Sequence, residues 1–344
     1  MTESFSLLPE WAPQDAVMLA WPHETTDWQP WLEAIQRDYV ELAVAISQEV
    51  TPVILCQDEA HRDLILNQLN NRCGHAPLLA IVPYNDTWCR DYGPITLGRD
   101  GQLRLLDFCF NGWGDKYDAD LDNNINQTLA DLWLPELQSL DFELEGGSIE
   151  TDGCGTLLTT THCLLDSNRN TDYSRDEISS YVKEKLGLTR TLWLSEGALI
   201  GDDTDSHIDN LARFCSADTI AYATCRNPED RHFEHLRDME EELKTFRRPD
   251  GEPYTLQAIE IPEPQLDEDG KRLPGSYINF LIINGSVIVP VFGCPQDQPA
   301  LDTLQACFPG KRLLPVPGNN LIKQFGGPHC ATMQLPVGTI RLKG

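Results

Sequence analysis

The sequence lacks both the N-terminal pattern of a secreted protein and an apolar run of membrane-spanning length. It begins MTESFSLLPEWAPQDAVMLAWP, without a basic segment or a long apolar core, so no signal peptide is expected. Its longest apolar candidate, YINFLIINGSVIVPVFG, is broken by Asn, Gly and Pro and falls short of the roughly 18 residues that a membrane span requires. This segment is predicted to form two strands, and the protein is expected to be soluble and cytoplasmic.

Basic residues are scarce in this chain. It has 26 lysines and arginines against 54 aspartates and glutamates, which gives a formal net charge of −28. Such a charge repels nucleic acids and anionic membranes, so neither is an expected partner. It would attract a cationic substrate, although the plainer explanation is that the acidity keeps the protein soluble.

Closely spaced cysteine pairs are also missing. The eleven cysteines include no Cys-x-x-Cys pair, which argues against a zinc ribbon and against a thioredoxin-like redox site. In a reducing compartment most cysteines behave as small hydrophobic residues. A functional cysteine must therefore be identified from its local context.

Helical and extended patterns alternate along the chain. Helices are predicted over 31–48 and 174–187, and strands over 51–56 and 190–194. A unit of two strands, a helix and a strand recurs at irregular spacing, without a convincing linker or a low-complexity segment. This pattern predicts one α/β domain over residues 1–344, built either as layers or as a closed ring of ββαβ units.

The segment YNDTWCRDYGPI, residues 84–95, concentrates acids, an indole and a base. Asp86 and Asp91 flank Trp88 and Arg90. Carboxylates beside an aromatic face suit a cation, which can pair with the acids and stack on the ring. The alternative is a structural Arg–Asp network that caps a turn. A second aromatic, Trp113 in FNGWGDKYDADLDNN, lies in a loop that either faces substrate or stays solvated.

Two further segments carry candidate acid–base groups. Glu145 precedes two glycines in LEGGSIETDGCG, which lets the backbone approach a ligand closely, unless it is only the start of a bulged strand. In GDDTDSHIDN, His207 lies among acids that include Asp203 and Asp209. An extended backbone would place His207 and Asp209 on one face. Nearby carboxylates favour the charged histidine, which suits a proton shuttle; a metal ligand or a surface histidine are the alternatives.

Cys330 lies in FGGPHCATMQLP, after a glycine-rich turn and before a predicted strand. A nucleophilic thiol needs access and a nearby base, because the thiolate is the reactive form. The adjacent His329 is expected to point away, as neighbours on a strand do, so a remote base such as His207 would serve better. The alternative is that Cys330 is a small core residue.

Taken together, six ordered motifs resemble the agmatine deiminase family, which includes bacterial-type peptidylarginine deiminases. They are AWPHETTDW, DTWCRDYGPI, FNGWG, EGGSIETDGCGTLLTT, GDDTDSHIDN and GGPHCATMQLP, and the resemblance covers the chain from about residue 8 to 340. The resemblance implies a five-bladed α/β propeller (the pentein fold) of ββαβ units. It also implies an enzyme that needs no metal or organic cofactor. It also implies the catalytic residues: the nucleophile Cys330, the proton carrier His207, the guanidinium-binding acids Asp91 and Asp209, and Glu145 beside the histidine.

The substrate implied is a small cationic guanidino compound, most simply agmatine, hydrolysed to N-carbamoylputrescine and ammonia through a covalent thiouronium on Cys330. Its predicted contacts are Trp88, Asp86, Arg90, Trp113 and Asp203. Deimination of arginine or of peptidyl-arginine, amidino transfer to an amine, and non-catalytic binding stay open, as does a homodimer. Phe325 and Pro328 stand where agmatine deiminases usually carry glycine and isoleucine, which affects the pocket for the substrate tail.

Overall fold

The computed structural model describes residues 5–342 of the chain. This part contains seventeen strands and nine α-helical segments. The strands are β1 Ser6–Leu7, β2 Gln14–Ala20, β3 Thr51–Cys56, β4 Leu78–Ile81, β5 Ile95–Arg99, β6 Gln102–Cys109, β7 Leu137–Glu143, β8 Ile149–Thr151, β9 Thr156–Thr160, β10 Arg190–Leu194, β11 Ala212–Ser216, β12 Thr219–Thr224, β13 Thr255–Glu260, β14 Leu281–Ile282, β15 Ser286–Val291, β16 Arg312–Pro317 and β17 Thr332–Pro336. The helices are α1 Leu32–Ile46, α2 Glu59–Leu69, α3 Cys89–Tyr92, α4 Gly112–Asp115, α5 Ile125–Thr128, α6 Thr161–Leu164, α7 Arg175–Leu186, α8 Phe233–Leu243 and α9 Asp297–Cys307.

The strands form five small mixed sheets. Their orders are β1-β5-β6-β7, β10-β9-β8, β11-β12-β13, β14-β15-β16 and β17-β2-β3-β4. Each sheet contains an antiparallel pair whose second strand is joined through helical segments to a parallel neighbour, as in β8-β9-β10 and β11-β12-β13. The recurring ββαβ unit that the sequence predicts is therefore present.

The last sheet joins the two ends of the chain. The C-terminal β17 pairs antiparallel with β2, with Thr332 opposite Leu19 and Met333 opposite Met18. Residues Ala16 to Ala20 of β2 are fully buried. The turn that carries Cys330 is consequently anchored against the N-terminal strand.

Local sequence signals explain several element ends. Helix α7 begins with a capping box between Ser174 and Glu177, and Gly187 ends it in the left-handed conformation. The hairpin between β5 and β6 turns at Asp100 and Gly101, whose φ angles are 48° and 79°. None of the helices within residues 5–342 is both long and apolar enough to cross a membrane.

One predicted strand is shorter in the structure. The run 277–285 is predicted to be extended, but only Leu281–Ile282 pairs as β14. The buried residues just before it turn inward instead, and one of them, Asn279, contacts Cys330.

Candidate active site

A pocket of about 390 Å³ collects most of the predicted substrate-binding side chains. Its lining residues are Asp86, Trp88, Asp91, Trp113, Tyr117, Asp203, Thr204, Gln324, Phe325, Gly326 and Cys330. They come from segments far apart in sequence, which the sheets bring to one place. Three acids and four aromatic side chains in one pocket suit a cation with an apolar stem.

Cys330 lines this pocket and is almost completely buried. Its Sγ accepts a hydrogen bond from Asn279 Nδ2 at 3.0 Å and lies 3.3 Å from Asp209 Oδ2. The Oδ1 of Asn279 accepts from the Cys330 backbone N–H, so one side chain holds both the thiol and its backbone. Burial, and then the charges of Asp209 and Asp91, raise the pKa of the Cys330 thiol well above its usual value. The free protein therefore holds a protonated thiol.

The expectation that His329 points away from the site is wrong. Residues 327–331 form a turn, and β17 begins only at Thr332, so the alternation of a strand does not apply. His329 Nδ1 lies 2.8 Å from Asp209 Oδ2, and its Nε2 lies 2.7 Å from Glu10 Oε2. Burial raises the pKa of Asp209, but the hydrogen bond and charge of His329 outweigh it and hold that pKa below its usual value. Asp209 is thus kept as a fixed carboxylate.

The extended backbone expected around His207 is also wrong. Residues Ile208–Asn210 form a single 3₁₀ turn, because the chain bends sharply into β11. His207 and Asp209 nevertheless face the same point. A Cβ built on Gly147 would lie 2.6 Å from His207 Nδ1, 2.7 Å from Asp91 Oδ1 and 3.1 Å from Asp209 Oδ2. These three side chains therefore converge over a residue that has no side chain.

Asp91 is held by two donors. Its Oδ1 accepts from the Gly147 backbone N–H and its Oδ2 from Trp113 Nε1, each at 2.9 Å. Trp113 reaches it from a left-handed backbone, with φ 58°. Burial raises the pKa of Asp91 to about 6, so the carboxyl is largely ionised at neutral pH. His207 Nδ1 lies 3.7 Å from Asp91 Oδ1.

Glu145 lies beside His207, completely buried. Its Oε1 accepts from Arg169 Nε at 2.6 Å, and its Oε2 lies 3.9 Å from Cys163 Sγ. Arg169 also reaches Asp205, with Nη1 to Oδ2 at 2.7 Å. The two glycines after Glu145 form a tight 3₁₀ turn rather than a bulged strand.

The outer part of the pocket carries Asp86, Trp88 and Asp203. Tyr117 donates to Asp203 Oδ2 at 2.5 Å, and Trp88 is 5% exposed. Burial raises the pKa of Asp86 to about 7, against the hydrogen bonds from Thr87.

Arg90 is predicted to bind substrate, but the structure places it elsewhere. Consecutive residues of the one-turn helix α3 point in different directions, and the guanidinium of Arg90 turns away from the pocket. Its Nε donates to the His329 carbonyl at 3.3 Å and its Nη1 to Gln334 Oε1 at 2.5 Å. Arg90 supports the turn that carries Cys330 rather than the ligand.

Several residues in contact with the site are absent from the sequence prediction. They are Glu10, Cys163, Arg169 and Asn279. Arg169 lies between helices α6 and α7 and Asn279 interrupts an apolar run, and neither belongs to a recognisable motif. The one sequence signal for any of them is Asn279, a single polar residue inside the apolar run YINFLI. A buried amide needs hydrogen-bond partners, so its position indicates a polar contact.

The chain matches known proteins over nearly its whole length. A family model described as Porphyromonas-type peptidyl-arginine deiminase matches residues 6–336. The agmatine deiminase of Pseudomonas syringae pv. tomato is 32% identical over 361 residues, covering 97% of this chain and 96% of that protein.

Solved structures are similar as well. A cysteine-to-serine variant of C. jejuni agmatine deiminase with substrate bound is 35% identical, with a TM-score of 0.90 over 96% of each chain. The agmatine deiminase of Enterococcus faecalis is 27% identical, with a TM-score of 0.89 over 97% of this chain and 96% of that one. A Porphyromonas gingivalis structure, provisionally named an arginine deiminase, is 44% identical, with a TM-score of 0.91 over 98% of this chain and 100% of that one.

Proposed function

We propose that this chain, which belongs to the Porphyromonas-type peptidyl-arginine deiminase family, hydrolyses agmatine to N-carbamoylputrescine and ammonia. The observation that carries the proposal is the convergence of His207, Asp91 and Asp209 beside Gly147, with the Cys330 thiol next to Asp209 and the acidic, aromatic pocket lined by Asp91 and Cys330. We further propose that the five sheets are the blades of one propeller-shaped catalytic domain, with the site near its axis.

Two carboxylates hold the guanidinium. Asp91 and Asp209 both lie close to the point beside Gly147, and a planar guanidinium presents N–H groups that carboxylates accept in pairs. Both acids are fixed before substrate arrives, Asp91 by Trp113 and Asp209 by His329. Preorganised charge of this kind stabilises the cation throughout the reaction.

The substrate itself activates the thiol. In the free protein, burial and two carboxylates disfavour a thiolate at Cys330. A bound guanidinium offsets both negative charges, which lowers the energy of the thiolate at the moment of attack. The thiol is consequently reactive toward a cation and protected from neutral electrophiles.

The reaction proceeds in two halves. The Cys330 thiol gives its proton to His207, and the thiolate forms an S–C bond to the guanidinium carbon. The C–N bond then breaks, and His207 gives that proton to the departing ammonia. The thiouronium remains on Cys330. His207 then takes a proton from water, which attacks the same carbon, and the C–S bond breaks to release the ureido product and the thiolate.

The pocket favours agmatine over free arginine. Its lining includes Asp86 and Asp203 but, among the described residues, no lysine or arginine. The ammonium at the far end of agmatine is attracted by these acids, whereas the α-carboxylate of arginine is repelled. Trp88 offers an apolar face to the methylene stem.

Ammonia release from agmatine, free arginine and an arginine-containing peptide tests the function. We expect agmatine to give the highest kcat/KM, and the Cys330→Ser variant to give only background with each substrate. A higher kcat/KM for the peptide than for agmatine would make peptidyl-arginine, which the family description names, the proposed substrate instead. No Cys330-dependent ammonia from any of the three would overturn the deiminase proposal.

Two other classes of protein, an amidinotransferase and a non-catalytic binding protein, can be distinguished from a deiminase by adding one reagent each. If glycine or another amine acceptor yields a new guanidino product, the covalent intermediate passes to an amine and the protein is an amidinotransferase. Agmatine binding without turnover, and without labelling of Cys330 by a haloacetamidine, would indicate a binding protein.

Agmatine affinity should increase with pH through about 7. The pKa of Asp86 is raised to about 7, so its carboxyl is neutral below that pH and attracts the ammonium less. Calorimetry on the Cys330→Ser variant removes the contribution of the thiol. We expect the association constant to fall by up to about tenfold for each pH unit below this pKa. The charges of Asp27 and Asp91 also face this group.

The Asp86→Asn substitution in the same background is the control. This variant should bind agmatine more weakly at high pH, and its association constant should no longer change near pH 7. The change that remains should come from Asp91, whose pKa is about 6. An unchanged profile would show that Asp86 does not contact the substrate tail.

Phe325 sets the width of the pocket. It lines the pocket with φ 70°, a left-handed conformation at a position where agmatine deiminases usually carry glycine. We expect Phe325→Gly to raise KM for agmatine about tenfold, because apolar contact is lost. The ratio of kcat/KM for agmatine to kcat/KM for the arginine-containing peptide should fall. Phe325→Leu should keep most of the contact, and equal loss in both variants would contradict this role.

Location and assembly stay predictions. All eleven cysteines lie within residues 5–342 and are free thiols, as a reducing cytoplasm would keep them. A homodimer likewise stays a prediction.

A further inference from the structure

The proposed proton carrier, His207, also belongs to a group of three side chains that could bind a metal ion. A ring nitrogen of His207, a carboxylate oxygen of Glu145 and the Sγ of Cys163 all lie within 4.8 Å of one another. All three residues are completely or almost completely buried. Cys163, which comes from the short helix α6, has no part in the proposed deimination.

The three residues have atoms left for a ligand. Within the described part of the chain, neither ring nitrogen of His207 has a hydrogen-bond partner, although the side chain is 0% exposed. Arg169 occupies Oε1 of Glu145, which leaves Oε2 directed at Cys163. An unpartnered buried imidazole is costly unless something binds it.

A comparable cluster elsewhere is already satisfied. Glu10, Glu150 and His329 also lie within reach of one another, but the guanidinium of Arg213 pairs with both glutamates. A cation is already built into that cluster. In the cluster around His207, Arg169 pairs with Oε1 of Glu145, but within residues 5–342 neither ring nitrogen of His207 has a hydrogen-bond partner.

We infer that Cys163, Glu145 and His207 form an inhibitory binding site for a divalent transition metal, of which Zn²⁺ fits best. A sulfur, an imidazole nitrogen and a carboxylate oxygen are the donors that Zn²⁺ takes, whereas Mg²⁺ and Ca²⁺ take oxygen donors. Donor atoms around a tetrahedral zinc lie roughly 3.3–3.8 Å apart, so side-chain shifts of at most about 1.5 Å close the site. Water completes the coordination.

Metal binding at this site releases the thiol proton of Cys163. The metal forms a bond to the Cys163 sulfur as the thiol proton leaves to solvent. Asp91 lines the pocket and its Oδ1 lies 3.7 Å from His207 Nδ1, so we propose that an ion reaches the cluster from the pocket past this carboxylate. A metal on His207 removes the proton carrier from the reaction. This inhibition rests on the proposed function, whereas the binding does not.

Titration of the chelator-treated full chain with Co²⁺ tests the binding without any activity measurement. We expect a near-ultraviolet thiolate-to-cobalt band, displaced by one equivalent of Zn²⁺. The band should persist in Cys330→Ser, and in Cys154→Ala, which removes an exposed cysteine. It should vanish in Cys163→Ala, with affinity lowered by at least about 100-fold, since even outer-shell changes cost 10–100-fold. Cys163→Ser provides the same test if the alanine variant does not fold.

A band that persists without Cys163, or that requires Cys330, would overturn the assignment, as would the absence of any thiolate band in the wild type. In the activity assay, Zn²⁺ should inhibit the wild type reversibly, agmatine should protect, and a chelator should restore the rate. The Cys163→Ala variant should keep its turnover and need at least about 100-fold more Zn²⁺ for inhibition. Equal sensitivity of both proteins would contradict the site even if the protein is a deiminase.

Discussion

Replacing Cys330 with serine is expected to lower kcat for agmatine by at least about 1,000-fold while leaving its affinity within a few-fold of wild type. Cys330 forms the covalent bond in the proposed reaction, and a serine hydroxyl ionises far less readily than a thiol, so it is a much weaker nucleophile. The guanidinium contacts of Asp91 and Asp209 do not involve the thiol and should persist. Ammonia release measures the first quantity, and calorimetry measures the second.

The comparison with Cys163→Ala separates a nucleophile from a structural thiol. Both sulfurs are buried and both have a raised pKa, so chemistry rather than environment should distinguish them. Quenched wild-type protein should carry the mass of an agmatine adduct minus ammonia, and the Cys330→Ser protein should not. Turnover of Cys330→Ser close to that of the wild type would exclude covalent catalysis through this residue.

Several of the residues that the motifs single out lie together in the structure, although their catalytic roles stay predictions. Asp86, Asp91, Trp113 and Cys330 belong to short ordered motifs, and the structure brings all four to one pocket. The residues that hold them could not be predicted, because their partners are far away along the chain. His329, for example, contacts a residue 319 positions earlier, Glu10.

The fold is predicted unevenly for a similar reason. Helix α1 is predicted over 31–48 and found at Leu32–Ile46, because one apolar face repeats with helical spacing. Strand β2 is not predicted at all. It is buried on both faces between β17 and β3, so its sequence shows no alternation of apolar and polar residues. Assumptions of extended backbone at His207 and His329 fail because sharp turns, not strands, present these side chains.

Gly147 gives the sharpest steric prediction of the site. An alanine Cβ there would lie 2.6 Å from His207 Nδ1 and 2.7 Å from Asp91 Oδ1, closer than such contacts allow. These side chains are buried on all sides, so relief requires displacement of the groups that hold the guanidinium and carry the proton. Displacements near 1 Å at a reacting centre cost about 100-fold in rate, and we expect Gly147→Ala to lower kcat/KM for agmatine by at least that factor.

The loss should come from geometry rather than from unfolding. Gly310→Ala is the matched control, because a Cβ there meets nothing within 4 Å, and it should leave kcat/KM and the melting temperature unchanged. Gly147→Ala should remain folded by circular dichroism, and its thiol should still be alkylated slowly by neutral reagents, since Cys330 itself is not displaced. The labelling of Cys330 by a haloacetamidine, which needs the carboxylates in place, should fall together with turnover. Near-wild-type turnover in Gly147→Ala would mean that His207, Asp91 and Asp209 do not have to converge at this point for the reaction to occur.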